Sequence, residues 1–284
     1  WIETSQETKW HISANQLLKH CKNVNYNHQL LILNSPNNPT GTNNEELKEI
    51  SKICKDHNII IISDEIYAEL DFSGKYHSIS HFYPEGTIIS SGLSKWCGAG
   101  GWRIGTLVFP NELKKIYESI RSLSSETFSS VSAPIQFASL KAYTCDHQKY
   151  LKYSRKILRI VANFVHIELT MIGIDCVRPE GGFYILCDFT KLIKNRHKIN
   201  NATDLCEKIL NDTGFAMLPG KNFGINDDKL IARLAYVDFD GQAALQYFYK
   251  LENDKFNMND FKILFPKIYR GVKSLKNWFK ENVT

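Results

Sequence analysis

Two short apolar runs, Gln29-Leu30-Leu31-Ile32-Leu33 and Ile59-Ile60-Ile61-Ile62, limit this chain more than anything else in it. Each is bounded by turn residues and unbroken by charge, so each reads as a strand buried on both faces. Between them, Glu45 to His57 carries Leu47, Ile50 and Ile53 at helical spacing, with Asn43 or Asn44 as the N-cap. Residues 29–64 therefore read as strand, helix, strand, the signature of a βαβ unit in a parallel sheet.

Such a sheet offers its ligand crevice at the C-terminal ends of its strands. The first run ends in the rigid turn Asn34-Ser35-Pro36-Asn37-Asn38-Pro39-Thr40-Gly41, and the second in Ser63-Asp64-Glu65-Ile66-Tyr67. A third polar stretch, Ser90 to Gly105, lies between Ile88-Ile89 and Leu107-Val108-Phe109, which also read as buried strands. It contains Ser94, Lys95 and Arg103. Asn38, Asp64, Tyr67 and Lys95 are thus expected at one sheet edge.

Downstream, helices are expected from Pro110 to about Ser122, from Pro134 to Tyr143 and, as one long amphipathic helix, from Asp146 to Met171. Beyond Gly173 the pattern changes to short strands at Cys176-Val177, Phe183–Leu186, Phe215–Leu218 and Lys229–Tyr236, a helix near Asp204–Leu210, and two helices after Gly241. The expected fold is α/β. Residues 1–160 form part of a large domain with a mostly parallel sheet flanked by helices, and 161–284 form a smaller C-terminal α+β domain.

Composition removes several alternatives. A net charge of +5 with scattered Lys and Arg, in groups no larger than Lys191, Lys194 and Arg196, argues against nucleic acid as a partner. No apolar run reaches the ~18 residues of a membrane helix, and Trp1-Ile2-Glu3-Thr4 does not resemble a signal peptide. The seven cysteines are odd in number and form no Cys-x-x-Cys pair, which argues against a zinc site and for reduced thiols in a cytoplasmic setting. Gly98-Ala99-Gly100 opens like a dinucleotide fingerprint, but Arg103 stands where its last glycine belongs.

Pyridoxal 5'-phosphate (PLP) would use every one of the gathered groups. Lys95 would form a Schiff base and, once displaced, carry a proton as general base and acid. Asp64 would hold the pyridine nitrogen protonated. Tyr67 and Asn38 would hydrogen-bond the ring oxygen, Arg103 with Ser94 would hold the phosphate, and Arg233 would clamp a substrate carboxylate as a fork.

Asn-Ser-Pro-Asn-Asn-Pro-Thr-Gly at 34–41, Ser-Asp-Glu-Ile-Tyr at 63–67, Ser-Lys at 94–95, Gly-Trp-Arg-Ile-Gly at 101–105 and Ala-Arg-Leu-Ala-Tyr at 232–236 also stand in a familiar order. With them the chain resembles the class I/II aminotransferases, the aspartate aminotransferase-like group of fold type I, from about residue 10 to 250. The resemblance implies the same roles: Lys95 as Schiff-base lysine; Asp64, Tyr67, Asn38, Ser94 and Arg103 as cofactor ligands; Asn38 and Arg233 as substrate ligands. It further implies transamination between an L-amino acid and a 2-oxo acid, and a homodimer. Two alternatives share the motifs, a PLP-dependent C–S (β-elimination) lyase and a truncated non-catalytic homologue. The chain departs from the family at its front. The segment expected before Trp1 would bring a partner-gripping arm, a phosphate-binding loop and a ring-stacking aromatic, and Trp10 does not stand at the matching place. A sheet without its first strands would leave an edge exposed.

Overall fold

The computed structural model describes residues 2–23, 28–193, 199–251 and 256–282; Lys194 and Arg196 lie outside them. The chain divides into two compact units, one of residues 1–36 and 43–151, the other of 37–42 and 152–284.

The first unit contains α1 (Ala14–Asn23), β1 (Gln29–Asn34), α2 (Leu47–Asp56), β2 (Ile59–Asp64), β3 (Thr87–Gly92), β4 (Gly105–Val108), α3 (Lys114–Thr127) and α4 (Ala133–Thr144). Its sheet runs β1-β2-β3-β4, parallel across the first two pairings and antiparallel at the last. The βαβ unit is present. The N-cap of α2 is Glu46, without a side-chain cap, rather than the expected Asn43 or Asn44; the Asn44 side-chain oxygen instead accepts the Glu46 N–H at 2.9 Å, just ahead of the helix. Asn58, left-handed at φ 53°, turns the chain from α2 into β2, a conformation asparagine tolerates. Leu17 and Cys21 of α1, Ile50 and Cys54 of α2, and Leu33, Ile59 and Ile61 of the sheet close one core.

That core covers one face of the sheet, and here two strands depart from expectation. Leu30 and Ile32 of β1 are 55% and 67% exposed, and Leu107 and Val108 of β4 are 48% and 57% exposed. β1 and β4 are the outer strands of the four. An apolar run shows that a strand can be buried on both faces but not that anything lies over the second face.

The second unit takes in α5 (Gln148–Thr170) from Lys152 onward, then β5 (Asp175–Cys176), β6 (Tyr184–Asp188), α6 (Ala202–Thr213), β7 (Leu218–Pro219), β8 (Ile231–Ala235), α7 (Gly241–Lys250), α8 (Met258–Leu264) and α9 (Pro266–Asn282). Its sheet, β5-β6-β8-β7, is antiparallel throughout. The expected strand at Phe215–Leu218 is found instead at Leu218–Pro219; the Phe215 ring lies against α9 at Gly271, where a Cβ would stand 3.0 Å from it. The C-terminal stretch holds three helices rather than two, since Pro266 opens a new one after Phe265. Residues 37–42 join this unit through Gly41, whose carbonyl accepts the N–H of Glu180 at 2.7 Å and of Gly181 at 2.9 Å. No helix among the described residues is long and apolar enough to cross a membrane.

Candidate functional site

The register of the first sheet aligns Asn34 with Asp64 and Asp64 with Ser90, so β1 and β2 end level and β3 runs two residues further, to Gly92. Asp64 closes β2, half-buried. Its backbone carbonyl accepts Asn34 Nδ2 at 2.9 Å, and its carboxylate accepts the Ile66 N–H at 3.3 Å. Burial pushes this carboxyl above its ordinary value, and no lysine or arginine among the described residues offsets the shift. A half-buried carboxylate at a strand end without a cation suits a cationic ligand atom, such as a protonated ring nitrogen.

Lys95 lies in the turn after β3, half-buried, with its Nζ 5.9 Å from the centre of the buried Tyr67 ring. The turn is anchored from behind: Tyr150 Oη donates to the Trp96 carbonyl at 2.9 Å, and His147 lies against the Trp96 ring at 4.9 Å. Ser94 is half-buried beside Lys95. Arg103 is exposed, left-handed at φ 53°, and its Nη1 donates at 2.8 Å to Gly100 of its own loop. Thus Lys95 and Tyr67 come together, whereas the Arg103 guanidinium hydrogen-bonds within its own loop.

The second unit holds Asn38 and Arg233. Arg233 sits on β8 opposite Leu186, one pleat from the pair Ala235–Tyr184, so the Tyr184 ring reaches it diagonally across the same face. Its guanidinium carbon lies 4.1 Å from the Tyr184 ring centre and 4.7 Å from that of Phe223. Nη1 donates to Asn38 Oδ1 at 2.8 Å, while Nε is buried and has no hydrogen-bond partner among the described residues. An unpaired buried N–H costs roughly 1–3 kcal/mol, and a carboxylate accepting from Nε and Nη2 along that side of the fork would satisfy it. The residues present therefore fit PLP at Asp64, Tyr67 and Lys95, and a carboxylate at Arg233.

Trp96, Phe223 and Tyr184 had no functional reading in the sequence. The glycines either side of Phe223, Gly220 and Gly224, were the available signal for a shaped turn there. Among the described residues no group of histidine, cysteine and carboxylate side chains could hold a metal. The cysteines offer little rival chemistry: burial pushes the Cys54 and Cys206 thiols up to about 12, and raises Cys97 as well.

The family described as aminotransferase class I and II matches residues 2–237. An aspartate aminotransferase of Bacillus subtilis (strain 168) is 30% identical over 244 residues, 83% of this chain and 59% of its own. An aromatic aminotransferase from Pyrococcus horikoshii OT3 superposes at a TM-score of 0.76 with 24% identity, over 99% of this chain and 66% of that one. A tetra mutant of Thermus thermophilus aspartate aminotransferase gives 0.75 and 24%, over 96% and 66%. The chain spans 52% to 59% of the length of the first curated relatives.

Proposed function

This chain belongs to the aminotransferase class I and II family, and from that premise we propose that it serves PLP-dependent transamination between an L-amino acid and a 2-oxo acid. The observation that carries the proposal is the Lys95 amine beside the Tyr67 ring, in the unit where Asp64 ends β2 without a cation. The bound cofactor would supply an electron sink for the charge that develops at the substrate Cα. Lys95 would tether it and, when freed, move a proton to and from that carbon. The Asp64 carboxylate would keep the ring nitrogen protonated, which its neutral alternative could not do. The Tyr67 hydroxyl and the Asn38 amide would donate to the ring oxygen, and Ser94 with Arg103 would take the phosphate. Arg233 would orient the amino acid by its carboxylate. Homodimeric assembly and a cytoplasmic setting belong to the same proposal and rest on the family resemblance.

The test is the absorbance spectrum of the 284-residue chain with stoichiometric PLP, beside Lys95→Ala. A visible band in the parent that Lys95→Ala lacks is the expected result, with amino-group exchange lower in the variant by about 10³-fold or more. A band equal in both proteins, or none in either, overturns the assignment of Lys95. Ammonia released from a cysteine conjugate without any oxo acid would move the reading to β-elimination.

A further inference from the structure

We infer that Phe223 is a positioning residue for Arg233, holding the plane of the guanidinium that grips the substrate carboxylate. The inference rests on the reading of Arg233 as that carboxylate's partner.

Phe223 does not reach Arg233 by chance of a mobile loop. β7 pairs Leu218 with Arg233 and Pro219 with Ala232, so the segment just before the turn is registered on the arginine's own strand. Gly220 then approaches β8 so closely that a Cβ would stand 2.9 Å from the Ile231 carbonyl and 3.2 Å from Ile225 Cβ. Any larger residue there would push the turn off the strand. The single turn Gly220–Phe223 closes on Gly224, left-handed at φ 81°, whose N–H donates to the Lys221 carbonyl at 3.2 Å. These restraints fix the Phe223 ring 4.7 Å from the guanidinium carbon, half-buried rather than absorbed into a core.

The consequence is chemical. An arginine side chain has four rotatable bonds, and a fork grips a carboxylate only when its plane is set. Asn38 fixes one corner by accepting from Nη1 at 2.8 Å. One hydrogen bond leaves rotation about that corner; the Tyr184 ring at 4.1 Å, from the neighbouring strand, and the Phe223 ring at 4.7 Å, from the turn, together restrict it. The buried Nε, unpartnered among the described residues, is thereby held ready for an acceptor. An aromatic face also stabilises the cation without consuming a donor, as a carboxylate neighbour would.

The experiment compares Phe223→Leu, Phe223→Tyr and Arg233→Ala in the full PLP-loaded chain, reading maleate binding by calorimetry and steady-state kinetics with L-aspartate and 2-oxoglutarate. Phe223→Leu is expected to weaken maleate roughly three- to thirty-fold and to raise KM with kcat little changed, as befits an interaction made equally in ground and transition states. Phe223→Tyr, which restores the ring, is expected to bind within about two-fold of the parent. A merely structural role would lower the thermal midpoint of Phe223→Leu without rescue of binding by tyrosine. If Arg233→Ala binds maleate like the parent, the carboxylate reading itself fails. If Arg233→Ala loses maleate while Phe223→Leu keeps parental affinity, the reading of Arg233 stands and the positioning role is overturned.

Discussion

His11 is a buried imidazole, and its Nε2 has no hydrogen-bond partner among the described residues. Burial and the neighbouring Lys9 ammonium push its pKa down to about 4, against a smaller opposing pull from Glu45. The unfolded chain takes up this proton near the ordinary 6.5, whereas the folded chain resists until about 4. Between those values the unfolded state binds more protons, so stability is intact above pH 6.5 and is lost as pH falls toward 4. Denaturant unfolding at pH 7 and pH 4.5 should show His11→Gln losing roughly 2–3 kcal/mol less than the parent. Equal losses in the two proteins would sink the assignment. At this scale the sequence was legible where residue type carries chemistry. A lysine in a loop between apolar strands and an arginine on a strand could be singled out. Phe223 and Trp96 could not, because their roles depend on strand register and on Tyr150, which lies far along the chain from Trp96.

Among elements, the turn at 34–41 shows how one glycine can tie a loop to a distant sheet. Gly41 is left-handed at φ 72°, and a Cβ on it would stand 2.5 Å from the Tyr184 carbonyl and 3.0 Å from Pro179 Cβ. Gly41→Ala is therefore expected to destabilise the second unit by more than about 1 kcal/mol and to weaken carboxylate binding through Asn38. An unchanged denaturation midpoint would count against both effects. The order of strands and helices followed from hydrophobic periodicity, most securely for β1, α2, β2 and the long α5. What escaped was coverage: β1 and β4 were expected to be buried, yet side chains on both stand exposed. Local pattern records how apolar a strand is, not what packs against it. Helix ends were likewise approximate, as at α3, which runs on to Thr127, past the end expected near Ser122.

For the molecule as a whole, exposed Leu30, Ile32, Leu107 and Val108 put apolar surface on the two outer strands of the first sheet. Such edges invite pairing with other chains. Ile32→Lys with Val108→Lys should lower light scattering and the fluorescence of an apolar-surface dye, while the unfolding free energy stays within about 1 kcal/mol of the parent. Unchanged scattering would show that these edges do not drive self-association.

The membership of residues 37–42 in the second unit has a consequence for modularity. The backbone passes from one unit to the other at 36–37, returns at 42–43 and leaves again at 151–152. No single cut can separate the units as intact pieces. A fragment ending at residue 151 carries the Asn38 loop away from Arg233, its hydrogen-bond partner. The second unit therefore cannot be exchanged between relatives as a contiguous cassette without transplanting those six residues as well.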